Sequence, residues 1–408
     1  VTANRFQVSA EAVPDQLSCA DVQVFAPFPH SPEVVFGRVA VRSPAFGSTS
    51  ASGGAPVVIG AAAGDDTASV VMRARGELIE RASNILSGRA AESRAELVAS
   101  FEDLRRRGMT ALDPACWREP GGTAELRQAP LLWVPGESLL TRREVLVPAG
   151  AAFLHHRPPP ECRAVPRAGS TGVSAHPSPA VAVRHSLLEV LERDLVWRSW
   201  YGSGPVTVLP EPPLDSPLDK VAGGLGARAS ALILPGPGTT ACIVVCLHTE
   251  GECEQSFGAR CVADRGNTAI RRGVVVAAYE ALMMRWSMGT AVAGRAWEEL
   301  GRETRVLSPR GALEHAVAAF RSGSSLAHWR SKSTTDQAAG MAPAGTARES
   351  DLAYLLAEHT GEEVVAVDTT TPGARAAGVT VMRVVAPGAR PLPAREPAGS
   401  GHPPHPFG

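Results

Sequence analysis

The chain has 408 residues, 44% of them apolar and 20% charged, and a formal net charge of -1. That composition is ordinary for a globular protein with a sizeable core, and the near-neutral balance excludes a global field drawing the chain to nucleic acid or an acidic membrane. No apolar run approaches the roughly 18 residues that span a bilayer, and the start, VTANRFQVSAEAV, lacks the basic and apolar segments of a signal peptide, so a cytoplasmic protein is expected.

Residues 1–60 read as short strands and turns, with VQVFAPF and PVVIGAAA separated by Pro, Gly and Ser clusters. Apolar spacing then predicts a helix from Thr67 to Leu86 and a second from Ala91 to Arg107. Residues 130–155 alternate like strands, with PGES and TRRE as predicted turns. A Gly-Ser segment, AGSTGVSAHPSP, precedes a long predicted helix from Ala180 to Trp200, with Pro177 and Pro179 where a helix start tolerates proline. Strands are predicted at 205–209, 229–234 and 241–248, and helices at 268–288, 310–321 and 349–359 with a polar loop between the last two. EEVVAVDT and VTVMRVV read as strands. The order predicts a mixed α/β (α+β) fold without strict βαβ alternation. One large domain is expected: 1–54 as its strand-rich start, 55–390 as the catalytic body and 391–408 as a proline-rich tail.

Cys242, Cys246, Cys253 and Cys261 cluster in sequence, but their spacings match no usual zinc knuckle. Small core thiols are the expected role for residues in the β-like run TTACIVVCLHT.

Two helical hexapeptides carry the chemistry: GELIER at 76–81 and LEVLER at 188–193. In each, two carboxylates three apart share a helix face, with an Arg four residues after the first. One such copy is usually a solvated Glu/Arg face. Two copies meeting side by side would gather four carboxylates, and carboxylates at that density need cations. Magnesium suits this role because it shares its coordination with substrate phosphates, and the arginines would balance phosphate charge.

The wider segments GAAAGDDTASVVMRARGELIERASNIL and STGVSAHPSPAVAVRHSLLEVLERDLVW resemble the nucleotide-binding segments of the YcaO family, and AAYEALMMR (277–285) resembles its third helix. The resemblance covers about residues 55–290. It implies a YcaO-like fold, with Mg2+ held by Glu77, Glu80, Glu189 and Glu192. ATP would be contacted by these residues and by Arg81, Arg193, Ser170, Gly172, Glu280 and Arg285. Several positions depart from the family pattern: Ala63 stands for a loop lysine, Arg73 for a serine, His185 and Met283 for glutamines, and Ala175-His176-Pro177 for Ala-Gly-Asn. Arg73 could replace the missing lysine as a phosphate partner. The end, His402 to Gly408, resembles the proline-rich tail of azoline-forming members, which implies the Gly408 carboxylate as a catalytic base. A disordered tail is the alternative for such a composition.

The resemblance implies ATP-driven cyclodehydration. A Cys, Ser or Thr side chain of a ribosomal precursor peptide attacks the preceding carbonyl, the amide oxygen is phosphorylated, and phosphate leaves. A separate leader-peptide-binding partner is expected, and a homodimer is compatible with the resemblance. Thioamide or macroamidine formation, and a non-catalytic partner role, are the alternatives.

Overall fold

A computed structural model describes residues 17, 20–47, 55–117, 124–163, 168–209, 212–303, 309–333, 349–396 and 401–407. Among them, three antiparallel sheets and eleven α-helices form a mixed α/β fold, as expected.

The first sheet is a meander of β1 (Gln23–Phe25), β2 (Val35–Arg42) and β3 (Val57–Gly64). Helix α1 (Thr67–Arg94) packs back across it, capped at its start by Asp66, whose carboxylate accepts from Ser69 N at 2.9 Å. The helix outruns the predicted end at Leu86. The second predicted helix is correspondingly shortened. Ala95 adopts a left-handed conformation that stops α1. Residues Val98–Ala99 then form β4, and Ser100 caps a short α2 (Phe101–Arg106) by accepting from Asp103 N.

The second sheet contains β5 (Leu131–Ser138), β6 (Glu144–Pro148), β7 (Val173–His176), β12 (Val365–Asp368) and β13 (Thr380–Val385) with β4, in the order β4-β5-β12-β13-β7 and with β6 on β5. PGES belongs to β5 and is not a turn: Pro135, Gly136 and Glu137 pair with Leu146, Val145 and Glu144, and the chain reverses after Ser138. Residues Ala149–Ala152, read as strand, form the helical turn α3.

The third sheet runs β11-β10-β9-β8, built from β8 (Thr207–Leu209), β9 (Arg228–Pro235), β10 (Ala241–His248) and β11 (Ser256–Val262). Strand β11 has no counterpart in the sequence reading, nor do α5 (Ser216–Gly224) and α7 (Ala291–Glu303). Cys242, Cys246 and Cys261 are buried in β10 and β11, as expected for core thiols, and burial pushes their pKa values up, whereas Cys253 of the same sequence cluster is exposed.

Helix α4 (Pro179–Tyr201) lies between the second and third sheets, and α6 (Asn267–Ser287) covers β10 and β11. Leu187, Leu191, Val196 and Trp200 of α4 share one core with Val244, Phe257 and Val384. Such two-sided burial explains why α4 carries little amphipathic pattern. Helices α8 (Ala312–Ser322), α9 (Ser325–Arg330), α10 (Glu349–Thr360) and α11 (Pro372–Ala376) complete the fold. The tail docks onto the body: Trp200 Nε1 donates to Pro403 O at 3.0 Å, and Phe407 is buried against Phe257 and Trp329.

Among the described residues, no helix is long and apolar enough to cross a membrane.

Candidate functional site

An edge strand presents amides and carbonyls that no neighbouring strand takes. Each of the three sheets ends in such a strand: β3, β7 and β11. Their outward groups are met by side chains of α1, α4 and α6, and these contacts bring the predicted carboxylates together.

On β3, three alternate residues face α1. Ala61 N donates to Glu77 Oε2 at 2.6 Å, Arg81 Nη1 donates to Ile59 O at 3.1 Å, and Arg73 Nη2 donates to Ala63 O at 2.7 Å. Arg81 also pairs with Glu77 at 2.6 Å. Arg73 thus reaches from the helix to the strand position where the resemblance expects a lysine.

The backbone of Ala175 on β7 favours the charged form of Glu80, while just ahead of the strand Gly172 N donates to Glu189 Oε2 at 3.2 Å. Gly172 has φ +81°, and a Cβ there would meet Val384 O at 2.8 Å, so glycine lets the loop approach both α4 and β13. Ser170 is exposed in the same loop and accepts from Val173 N through its carbonyl.

On β11, Cys261 N donates to Glu192 Oε2 at 2.8 Å and Ala259 N donates to Glu280 Oε2 at 3.1 Å. Two helices therefore set their carboxylates on alternate amides of one strand.

The electrostatics link these groups. Burial raises the pKa of Glu80 well above the usual carboxylate range, and the charges of Glu189 and Glu77 raise it further. Burial likewise pushes Glu189 up to about 7, with Arg193 opposing and Glu192 adding to the rise. Glu280 is pushed up to about 7 by burial and then by Glu192, against Arg193. Burial disfavours the charge of Arg193, but Glu192, Glu280 and Glu189 outweigh it and hold its pKa up. The expected grouping of Glu77, Glu80, Glu189, Glu192, Arg193 and Glu280 is therefore present.

Arg285 is not part of it. Its guanidinium donates to Glu254 O at 2.6 Å, pairs with the Glu254 carboxylate at 2.8 Å and lies over Phe320. It sits five residues beyond Glu280, more than one helical turn along α6. Gly408 lies outside the described residues. Phe407, immediately before it, has its ring 5.8 Å from the Arg193 guanidinium, so the docked tail runs to the edge of the cluster.

Arg383 on β13 is the member that sequence reasoning missed. It is buried, donates to Gly169 O at 2.7 Å, and leaves Nε without a partner. Burial pushes its pKa down to about 10, while Glu189 and Glu80 hold it up. In sequence it is the one charged residue in the largely apolar strand VTVMRVV, a signal that a functional side chain interrupts a core strand.

Five carboxyl groups (Glu77, Glu80, Glu189, Glu192, Glu280) thus interact with four guanidiniums (Arg81, Arg193, Arg260, Arg383) across this group. Carboxylate oxygens are the donors a hard divalent cation takes, since oxygen ligands suit magnesium. The orphaned Nε of Arg383 is a donor suited to phosphate. These residues fit a magnesium-bound nucleotide.

Comparison with known proteins agrees with that chemistry. Residues 59–390 match the family described as "YcaO cyclodehydratase, ATP- and Mg2+-binding". An uncharacterized protein of Methanothermobacter thermautotrophicus is 37% identical over 83 residues, which are 20% of this chain and 21% of that protein. Among solved structures, a heterocyclase in complex with substrate and cofactor matches 91% of this chain and 50% of its own, with TM-score 0.63 and 17% identity. YcaO from Methanopyrus kandleri bound with AMPPCP and Mg2+ matches 92% of this chain and 87% of its own, with TM-score 0.56 and 21% identity. The E. coli microcin synthetase McbBCD complex with pro-MccB17 bound matches at 90% and 87%, with TM-score 0.58 and 13% identity. At these identities the solved structures establish the shared fold. The chain spans half the length of the heterocyclase and about a fifth of the archaeal relative.

Proposed function

The chain belongs to the YcaO family of ATP- and Mg2+-binding enzymes, and from that premise we propose that it activates backbone amides of a ribosomally made precursor peptide to form azoline rings. The observation that carries the proposal is the set of carboxyl groups that backbone amides of β3, of β11 and of the loop before β7 hold in place.

Glu80 and Glu189 would hold magnesium, with Glu77 and Glu192 completing the donor set and Glu280 beside them. Glu189, Glu192 and Glu280 each engage a strand or loop amide through Oε2, which fixes the side chain; this leaves Oε1 of Glu189 and Glu280 for a cation, while Glu192 Oε1 lies 3.8 Å from Arg193 Nη2. Magnesium, when bound, would neutralise charge developing on the phosphates of ATP. Arg383 and Arg193 would orient phosphate oxygens from within the cluster, and Arg73 would do so at Ala63 in place of a lysine. Ser170 and Gly172 would border the nucleotide. Phosphorylating the amide oxygen turns a poor leaving group into phosphate, and the net change in the peptide is loss of water.

The docked tail supports azoline formation over thioamide or macroamidine chemistry. His405 N donates to Glu396 at 2.9 Å, and Phe407 packs under Arg193. The Gly408 carboxylate is the base proposed to take the proton from the attacking Cys, Ser or Thr. Presentation of the peptide would fall to a separate leader-binding partner.

The test is to incubate the chain, its partner, ATP, Mg2+ and a candidate precursor, and to follow dehydration by mass spectrometry. Glu77→Gln and Glu189→Gln should each abolish the mass loss. Calorimetry should show ATP binding, weakened about 10- to 100-fold in Arg383→Met by loss of hydrogen bonds to a charged group. Absence of ATP binding in the folded chain would overturn the catalytic reading in favour of a peptide- or subunit-binding role.

A further inference from the structure

A cleft of about 300 Å3 opens at the other end of β9 and β10, lined by Arg228, Ser230, His248, Thr249, Glu252 and Arg330 among others. Ser230 pairs across the sheet with Cys246, so His248, two residues on, is its diagonal neighbour on the same face. Both residues are buried, with 7% of their surface exposed.

The hydrogen bonds fix each proton. His248 Nδ1 lies 3.0 Å from Thr249 O, a carbonyl that can only accept, so Nδ1 carries the hydrogen. Burial lowers the pKa of His248, and Arg330, Arg228 and Arg285 lower it further against the pull of Thr249 O, so the ring is neutral at pH 7. A neutral ring protonated on Nδ1 presents a lone pair at Nε2. Ser230 Oγ stands 3.0 Å from that nitrogen and must donate to it. On the other side, Arg330 Nη2 donates to Ser230 Oγ at 2.9 Å, and Arg330 is itself held by an ion pair to Glu252.

We infer that Ser230 is a nucleophilic hydroxyl, with His248 as its general base, in a second site that takes small carboxylic esters. A base is in contact with the nucleophile, a carbonyl fixes the base's tautomer, and Arg330 places positive charge beside the hydroxyl that attacks. Arg228, exposed at the rim, offers a partner for an acidic group on the ester. In the reaction Ser230 Oγ bonds to the ester carbonyl carbon and the ester C–O bond breaks. His248 accepts the serine proton and passes it to the departing alkoxide. Water then hydrolyses the acyl-serine, with His248 again the base. The site needs neither ATP nor the carboxylate cluster.

The test uses the full chain with p-nitrophenyl acetate and, separately, a fluorophosphonate, on which Ser230 Oγ would form a P–O bond as fluoride leaves. Intact mass and peptide mapping should find one adduct, on Ser230, without ATP. Ser230→Ala should lose it, and His248→Gln should slow labelling about 100-fold or more. A folded wild-type chain that stays unmodified at Ser230, or labels at the same rate in His248→Gln, would overturn the assignment. Mapping on the wild type decides even where a variant fails to fold.

Discussion

Two parts of the molecule, β3 with α1 and β11 with α6, make the same contact with different sequences. A Cβ on Gly60 would come within 2.0 Å of Ala74 O and 2.7 Å of Leu78 N; on Gly258 it would come within 2.1 Å of Ala277 O and 2.7 Å of Ala281 N. In each case the residue after the glycine donates its amide to the glutamate three residues past that alanine: Ala61 to Glu77 and Ala259 to Glu280. The glycine lets the helix touch the strand, and this approach brings the carboxylate to an edge amide. The flanking residues then separate the two units. Four residues either side of Glu77 stand Arg73 and Arg81, which take the neighbouring carbonyls of β3. The corresponding positions around Glu280 are Val276 and Met284. Glu77 is therefore paired within its own helix, whereas Glu280 has only cations from other elements, Arg193 of α4 and Arg260 of β11, and burial pushes it up to about 7. Backbone geometry delivers the carboxylate, and the flanking side chains set its charge.

If the contact is shared, filling either glycine should do the same damage. Gly60→Ala and Gly258→Ala should each lower stability by about 3 kcal/mol, the upper part of the range for overpacking, because the obstruction is backbone and cannot rotate away. Both should lose ATP-dependent activity with it. Gly76→Ala on the same α1 is the control: nothing lies within 4 Å of a Cβ there, so replacing an interior helical glycine should gain up to about 1 kcal/mol. Denaturant midpoints at constant slope decide the matter. A large loss at one glycine and none at the other would break the equivalence.

The difference in charge should appear in the pH dependence. Burial pushes the Glu280 carboxyl from its ordinary value of 4.5 up to about 7 in the fold. The native state is therefore free of its penalty below pH 4.5 and loses stability as pH rises through 7. Glu280→Gln removes a group that must ionise in a confined place. Without nucleotide and metal it should be about 2 kcal/mol more stable than wild type at pH 8, allowing for residual solvent contact, and equal near pH 4. Glu77→Gln, its charge already matched by Arg81, should change stability by less than about 1 kcal/mol across that range. Equal responses of the two variants would sink the distinction.

These units show what could and could not be read from the sequence. The Glu-x-x-Glu-Arg helices were legible because their spacing is local, and so were α1, α4, α6 and β10. Strand β11 was not, since SFGARCV has neither strict alternation nor a continuous apolar run, and its pairing with β10 is a tertiary fact. The segment PGES reads as a turn by composition, yet pairing with β6 holds it in β5. Glu280 was found through AAYEALMMR, but Arg285 in the same segment was drawn off by Glu254, a partner beyond the reach of helical spacing. Arg383 became meaningful only once β13 lay beside Glu80 and Glu189.

The smallest effect probes the flanking residues themselves. Arg81→Met gives α1 the residue that α6 carries at Met284, leaving Glu77 on Ala61 N without its own cation. The ion pair being lost is partly solvated, with side chains 39% and 28% exposed, and such pairs contribute up to about 1 kcal/mol. The thioether keeps the apolar stem in place, and water can reach the Ile59 carbonyl that Arg81 releases. A drop of less than about 1 kcal/mol, read by denaturation in the absence of ligand, is expected. A drop above about 2 kcal/mol would mean that Arg81 clamps the edge of β3, so that the charged side chains, and not the glycine contact, hold α1 against its strand.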